Sequence, residues 1–319
     1  MNEIAVFGAS GMLGSAVVNK LDDSNHVSEP THDEFDLTSS ESCDLFFDRN
    51  SPDTVIMCAG KVGGIKANME DPLGFLNENL MMTMNVINSC ARNGVETFIN
   101  VASSCMYPRE CIQPMKEEYL LGGNLEPTNE GYALAKLVGV KLTEYYRKQK
   151  NLNYISIIPC NLYGPDDNWT ESGHVMTALI KNINEAATEM QMAGMLDYTP
   201  ALSRTKLTIR GSGKAKREFL HTEDAAYGIA FILDVMHTDP HLLKKWDYIN
   251  LGSGVDYSIK ELATKICRAF DYEPEFVFDR SFPDGMPRKV LNVDRITSLG
   301  WEPKIHIDDG ILEMIGYAS

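Results

Sequence analysis

The sequence predicts an α/β protein, a doubly wound parallel sheet with a smaller C-terminal substrate-binding domain. Three observations predict it. Short apolar runs alternate with longer amphipathic ones, the order that builds parallel strands joined by crossover helices. The short runs are apolar at nearly every residue, as strands buried on both faces are. A glycine-rich turn, Gly8-Ala9-Ser10-Gly11-Met12-Leu13-Gly14, directly follows the first run.

The elements follow in order. Residues 4–7 read as a buried strand and 12–21 as a helix. Residues 54–57 form the next strand. A helix over 76–93 is carried by Leu76, Leu80, Met84, Ile87 and Ala91, at spacings of three and four. Residues 97–101 are a strand, 131–148 a helix and 154–158 another strand. Gly164-Pro165 then opens a less regular stretch to about residue 212. Residues 218–220 and 248–251 resemble further short strands, so the chain builds a cap and returns to the sheet at least once. The expected division is a dinucleotide-binding domain over 1–162, with a returning segment at about 213–256. The substrate-binding domain takes 163–212 and 257–319.

The 319 residues include 29 Lys and Arg against 45 Asp and Glu, a net charge of −16. That balance argues against nucleic acid or an anionic membrane as the main partner. No apolar stretch approaches the roughly 18 residues of a membrane span. The N-terminus has no basic segment before its short apolar run. Seven scattered cysteines, without a Cys-x-x-Cys, fit a reducing cytoplasmic compartment. No metal site is expected.

The glycine turn has the spacing G-x-x-G-x-x-G between a strand and a helix. Glycines there let the backbone approach a pyrophosphate seated on the helix N-terminus, as in a Rossmann-like fold. A tight turn without ligand is the plainer alternative. Tyr132 and Lys136 stand four residues apart on one helical face. A nearby ammonium favours phenolate and would lower the tyrosine pKa. Ser103 follows a strand end, where a parallel sheet presents its active site. Alone, the Tyr and Lys could be a solvated pair; the glycine turn and the serine favour catalysis.

These residues, with six longer segments, resemble the extended short-chain dehydrogenase/reductases, and among them the epimerase–reductases of GDP-4-keto sugars. The segments are Cys58-Ala59-Gly60-Lys61-Val62-Gly63-Gly64-Ile65, Ser103-Ser104-Cys105-Met106-Tyr107-Pro108, Glu126-Pro127-Thr128-Asn129-Glu130-Gly131-Tyr132-Ala133, Asn161-Leu162-Tyr163-Gly164-Pro165, Arg217-Glu218-Phe219-Leu220-His221 and Pro283-Asp284-Gly285-Met286-Pro287-Arg288-Lys289. The resemblance implies 3,5-epimerisation of GDP-4-keto-6-deoxy-D-mannose, then NADPH-dependent reduction of its 4-keto group. It implies a catalytic set of Ser103, Cys105, Tyr132, Lys136 and His174, with Cys105 and His174 exchanging the C3 and C5 protons. A thiol and an imidazole both titrate near enough to neutrality for that work. Which of the two is base and which acid stays open. Ser104-Cys105 stands where related 4,6-dehydratases carry an acidic pair.

By resemblance the cofactor contacts are Gly8, Ser10, Gly11, Met12, Leu13, Gly14, His32, Asp36, Leu37, Ala59, Gly60, Lys61, Ala102, Lys136, Pro159, Asn161, Leu162 and His174. Substrate contacts are Lys181, Asn182, Arg210, Arg217 and Asp284. Ser10 and His32 stand where bacterial relatives carry arginines for the adenosine 2′-phosphate. Glu29 could hold a ribose 2′-OH instead, so NADP is the expected cofactor and NAD an alternative. Asn182 and Arg210 also depart from the family pattern, and 189–204 looks like extra sequence. A synthase of GDP-L-colitose, which inverts only C5, would use the same site. A silent cofactor-binding sensor or scaffold is the non-enzyme alternative. The partners expected are a GDP-sugar and a second copy of the chain, through the helices at 76–93 and 131–148.

Six basic residues, Arg204, Lys206, Arg210, Lys214, Lys216 and Arg217, lie together without an Asp or Glu between them. The acidity thus belongs to the rest of the chain, and this segment is a candidate partner for a diphosphate. A solvated basic loop is the simpler reading.

Overall fold

The computed structural model describes residues 3–21, 25–170, 173–192 and 206–317. The first half runs β1 (Glu3–Phe7), α1 (Met12–Leu21), β2 (His26–Ser28), α2 (Ser40–Asn50), β3 (Thr54–Met57), α3 (Ile65–Glu70), α4 (Pro72–Arg92), β4 (Thr97–Val101), α5 (Glu130–Lys150) and β5 (Asn153–Pro159). The second half runs β6 (Asn161–Tyr163), α6 (Val175–Met192), β7 (Lys206–Arg210), β8 (Lys216–His221), α7 (Thr222–Thr238), β9 (Tyr248–Leu251), β10 (Asp256–Ser258), α8 (Ile259–Ala269), β11 (Glu275–Asp279), β12 (Arg288–Lys289), α9 (Asp294–Ser298) and α10 (Ile307–Tyr317).

Six parallel strands form the main sheet in the order β2-β1-β3-β4-β5-β9. Every residue of β3 and β4 is buried, because helices cover both faces. On one face Phe7 meets Phe46 edge-on at 4.9 Å, with Val86 and Ile87 of α4 in the same core. On the other, Val17 and Val18 of α1 pack with Ile229 and Ile232 of α7. The chain order reverses across β1, between β2 and β3, and ligands of such sheets bind beyond the strand ends at that switch.

A smaller unit surrounds a second core of Met176, Leu179, Ile180, Ile183, Leu262, Ile266, Ile311 and Met314. Its strand β8 pairs with β6, β10 and β12, and β7 pairs with β11. The returning strands therefore separate: β9 joins the main sheet beside β5, whereas β8 does not.

The stretch expected to be irregular holds helix α6 and strand β7. Met176, Leu179, Ile180, Ile183 and Ala187 are its buried face, a helical spacing that is visible in the sequence. The extra sequence near 189–204 lies mostly outside the described residues. Helix α4 starts earlier than expected, at Pro72, because Asp71 caps it through the Gly74 N–H at 2.9 Å. Its buried face is also not the expected one. Phe75, Asn79, Thr83, Val86, Ile87 and Cys90 point inward, while Met84 is exposed and Leu76 and Leu80 are half-buried.

Close packing of α5 explains this. A Cβ on Gly139 would lie 2.7 Å from Thr83 Cγ2, and one on Gly131 2.5 Å from the Pro72 carbonyl oxygen. The two helices approach through small and polar residues, and Leu73, Met81 and Met84 of α4 are left exposed. Gly139→Val should therefore cost about 1–3 kcal/mol of stability through overpacking. Chemical denaturation checks this; an unchanged midpoint would show that the α4–α5 contact can give way.

Candidate active site

A cavity of about 1930 Å³ opens at the C-terminal edge of the main sheet, between the two units. At its floor, Gly8 ends β1 with φ +84°. A Cβ there would meet the Ala59 nitrogen at 2.6 Å, and one on Gly14 would meet the Gly8 carbonyl oxygen at 2.0 Å. No side chain fits at either position, so the turn stays tight against the start of α1. Backbone N–H groups at a helix N-terminus, with no side chain in the way, suit a pyrophosphate. The residues present thus fit a dinucleotide.

Strand β4 ends at Val101 and aims Ser103 and Cys105 into the cavity. The Ser103 hydroxyl accepts the Cys105 N–H at 3.3 Å. Tyr132 and Lys136 lie on the first turns of α5 and line the same cavity. The expected ammonium–phenol coupling is not what the geometry gives. Lys136 Nζ donates to the Val101 carbonyl at 3.0 Å and stands 5.9 Å from the Tyr132 ring centroid. Burial pushes the Tyr132 phenol well up and Cys105 adds to this, with only the Ser103 hydrogen bond opposing. Burial also pulls Lys136 down to about 8. Tyr132 is therefore a proton donor at neutrality, not a phenolate.

Cys105 faces two cations. Lys289 Nζ donates to its sulfur at 3.4 Å. Lys289 and Arg217 are register partners in the parallel pairing of β12 with β8, so two like charges stand side by side, an arrangement that costs stability unless an anion faces it. Burial raises the Cys105 pKa, but Lys289, the Ser103 hydroxyl and Arg217 outweigh it, and the thiol ends below its ordinary value. Buried Glu218, which follows Arg217 on β8, accepts the Leu291 and Gly254 N–H groups at 2.7 and 2.6 Å. Arg217 is held by the Met286 and Asp284 carbonyls at 2.6 and 2.9 Å.

His174 has the opposite surroundings. Its Nδ1 lies 2.8 Å from Oδ1 of buried Asp167. That hydrogen bond raises the imidazole pKa; burial and Lys289 oppose it. The His174 carbonyl starts α6 by accepting the Ala178 N–H, so the backbone serves the helix while the ring serves the cavity.

Every catalytic, cofactor and substrate candidate named from the sequence lines this cavity except Asp36 and Glu29, the alternative ribose contact. The Asp36 carboxylate instead holds Thr38, through the amide at 2.9 Å and the hydroxyl at 2.7 Å. Ser10, Gly11, Met12, Leu13, His32, Leu37, Gly60, Ala102, Pro159, Asn161 and Leu162 are all on the wall. The Lys61 ammonium is engaged by Asp71 and Glu78 at 2.8 and 2.7 Å. On the substrate side, Lys181 and Asn182 are exposed on the cavity-facing side of α6. Arg210 stacks 5.0 Å from the Phe282 ring centroid, and Asp284 accepts the Ser212 N–H at 2.7 Å. Of the six clustered cations, Arg210 and Arg217 line this cavity, while Lys206, Lys214 and Lys216 do not. Arg204 lies outside the described residues.

Three residues of the site were not assigned from the sequence: Asp167, Lys289 and Glu218. Asp167 lies two residues past a matched segment, and Lys289 and Glu218 lie within matched segments. Only the pairing of β8 with β12 and the folding of distant loops give them a role. Among the described residues, no group of three or more His, Cys, Asp or Glu could hold a metal ion, and no helix is long and apolar enough to cross a membrane.

A glycine cradle at the switch point of a doubly wound sheet, with Ser103, Tyr132 and Lys136 beyond the same edge, defines a dinucleotide-dependent enzyme of the extended short-chain dehydrogenase/reductase class. The family model described as NAD dependent epimerase/dehydratase matches residues 4–244, and the chain belongs to that family. A GDP-L-fucose synthase of Sinorhizobium fredii is 42% identical over 310 residues, covering 97% of this chain and 92% of the relative. A GDP-L-fucose synthase of Escherichia coli is 39% identical over 317 residues, covering 97% and 94%. Among solved structures, a GDP-mannoheptose C4 reductase of Campylobacter jejuni with NADP bound superposes with a TM-score of 0.86 at 31% identity, covering 99% and 98%.

The electrostatics predict selective thiol chemistry. Burial lifts Cys43, Cys58 and Cys267 to about 12 and Cys111 to about 11. Cys105 alone is lowered among the cysteines. Iodoacetamide near neutral pH should alkylate Cys105 first, and Lys289→Met should move the inflection of its rate–pH profile upward. Mass spectrometry of timed digests reads both; an unmoved inflection would remove Lys289 from thiol activation.

Proposed function

We propose that the protein is a GDP-L-fucose synthase, performing 3,5-epimerisation of GDP-4-keto-6-deoxy-D-mannose and then NADPH-dependent 4-keto reduction. The observation that carries this reading is the placement of Cys105, facing Lys289 and Arg217, and of the His174–Asp167 pair on one cavity with Ser103 and Tyr132. The full-length similarity to two GDP-L-fucose synthases supports it.

The chemistry follows from the charges. The 4-keto group acidifies the protons at C3 and C5. Lys289 and Arg217 favour the thiolate of Cys105, which is assigned as the base: it takes a ring proton, and the C–H electron pair delocalises onto the C4 oxygen as an enolate. Ser103 and Tyr132 hydrogen-bond that oxygen and limit the cost of its charge. His174, whose protonated form Asp167 favours, returns a proton to the carbon from the other face. The thiol and the neutral imidazole then exchange protons with solvent, ready for the second centre. Ser103 and Tyr132 hold the C4 oxygen for reduction as well. A bound reduced nicotinamide supplies hydride to C4. Tyr132, which keeps its proton at neutral pH, gives it to the C4 alkoxide, a far stronger base.

In this reading Gly8, Gly11 and Gly14 seat the pyrophosphate of NADP(H), and Ser10 and His32 face its adenosine end. NADP in the related reductase structure supports that cofactor. Residues 1–162 with the returning segment at about 213–256 hold the dinucleotide, and 163–212 and 257–319 hold the GDP-sugar. Arg217, Arg210 and Lys181 meet the diphosphate. Seven unpaired cysteines support a reducing cytoplasmic home. Leu73, Met81 and Met84 of α4, with Leu134, Val138 and Tyr145 of α5, are exposed and support a homodimer through that face.

The test is incubation with GDP-4-keto-6-deoxymannose and NADPH in deuterated water. Oxidation of NADPH with deuterium at C3 and C5 is expected. No oxidation and no exchange would end the proposal; label at C5 alone would shift it to colitose synthesis. Cys105→Ser should slow exchange by on the order of 10²-fold or more and leave NADPH binding intact. Met84→Glu with Val138→Glu should turn a dimer into monomers by light scattering; an unchanged mass would move the interface elsewhere.

A further inference from the structure

Lys289 and Cys105 are 184 positions apart, and the state of the thiol hangs on the 3.4 Å between them. Burial alone would keep the thiol neutral; Lys289 and Arg217, the charged groups facing it, reverse that. The contact therefore needs its two segments held in place.

Asn250 lies on β9, at the edge of the main sheet, and is fully buried. It does not line the cavity. Its Nδ2 donates to the Met115 and Asn292 carbonyls, both at 2.9 Å. That leaves Oδ1 to accept the hydroxyl of buried Tyr107, at 2.6 Å. Its backbone N–H donates to buried Glu117 at 3.0 Å. One residue thus meets both segments, because Tyr107 stands two positions after Cys105 and Asn292 three after Lys289.

Backbone bonds already join Met115 to the Lys289 side. Its N–H donates to the Val290 carbonyl at 2.8 Å, and its carbonyl accepts the Asn292 N–H at 2.9 Å. The Cys105 turn has no such backbone ties. Among the described residues, the other hydrogen bonds of 104–107 stay within 103–107, apart from the Lys289 contact. The Tyr107 hydroxyl is therefore the hydrogen bond that ties the Cys105 turn to this joint. Buried polar groups paired in this way fix one arrangement, because each broken bond strands a partner away from water.

We propose that Asn250 is a positioning residue for the base: through Tyr107 it holds the Cys105 turn against Lys289 and so sets the reactivity of the thiol. Its part in the reaction rests on the reading of Cys105 as the base above. Asn250 itself transfers no proton, because it does not reach the cavity. At an effective dielectric of about 20, widening the ammonium–thiolate separation from 3.4 Å to about 5 Å raises the thiol by roughly one pKa unit.

The test uses the full chain and reads the rate–pH profile of Cys105 alkylation by iodoacetamide, which needs no sugar. Tyr107→Phe removes one hydroxyl and keeps the ring; Asn250→Ala removes the whole joint. Tyr107→Phe should move the inflection upward by about half a pH unit or more, and Asn250→Ala further. In a Lys289→Met background Tyr107→Phe should move it no further, because the effect runs through the ammonium. Deuterium exchange at C3 and C5 of GDP-4-keto-6-deoxymannose should slow about tenfold in Asn250→Ala, in kcat rather than KM, with the NADPH Kd unchanged. A lower melting temperature with an unmoved inflection in both variants would mark the cluster as structural only and overturn the proposal. So would a Tyr107→Phe shift that keeps its full size beside Lys289→Met. Where Asn250→Ala does not fold, Tyr107→Phe decides alone. A wild type that neither exchanges label nor oxidises NADPH fells the functional reading, and the alkylation profiles still decide whether Asn250 holds Lys289 on Cys105.

Discussion

The carboxylate of Glu218 is the point on which the site depends. It is fully buried on β8, and burial drives its pKa up to about 7 against the backbone N–H groups and Lys289, which oppose it. Those N–H groups belong to Leu291, just after β12, and to Gly254, just after β9. One side chain therefore ties the small sheet to the end of the main sheet. The backbone of Glu218 adds a further tie, because its carbonyl accepts the Asn161 amide at 2.7 Å. A Cβ on Gly252 would lie 2.2 Å from Glu218 Oε1, so the loop leaves room for nothing but the carboxylate. Arg217 precedes Glu218 on β8 and Lys289 is its partner on β12. Both cations are placed by this joint.

That placement separates two proton chemistries within one cavity. Cations face the thiol, and a carboxylate backs the imidazole. Desolvation alone would make Cys105 inert, as it does the other cysteines, and would make His174 neutral. Hydrogen-bonded charges reverse both effects because they act inside the protein, where solvent screens them little. Tyr132 shows the other outcome. Its neighbouring lysine is committed to the Val101 carbonyl, so burial prevails and the phenol keeps its proton. Arg210, Arg217 and Lys289 converge on the cavity, while most of the 45 acidic residues are elsewhere.

Much of this architecture was legible in the sequence. The strands at 54–57, 97–101 and 248–251 and the helix at 12–21 match the observed bounds, because continuous burial writes an apolar run and a glycine turn punctuates it. Helix α4 was legible as a helix but not in its facing. Its inward positions Asn79 and Thr83 are polar, since Asn79 holds the Lys61 backbone and Thr83 meets Gly139. Phe75, Val86 and Ile87 share that inward face, while Leu73, Met81 and Met84 are left exposed. Helix α6 had a readable spacing, obscured by the irregular sequence on either side of it.

By itself the sequence determined the fold class and the glycine turn, because these depend on residue type and on spacing within one element, and its family resemblance nominated Ser103, Cys105, Tyr132, Lys136 and His174 as candidates. Only the tertiary structure decided how those side chains behave. It buried Tyr132 so that the phenol keeps its proton, faced Cys105 with Lys289 and backed His174 with Asp167. It removed Asp36 from the cavity, brought in Asp167 and Lys289, and made buried Glu218 a tie from β8 to the Leu291 and Gly254 N–H groups. Each of those outcomes is a charge or hydrogen bond between residues brought together by folding; Lys289 and Cys105 are 184 positions apart. Sequence spacing does not encode such a distance, and a pKa follows from what stands within a few ångströms.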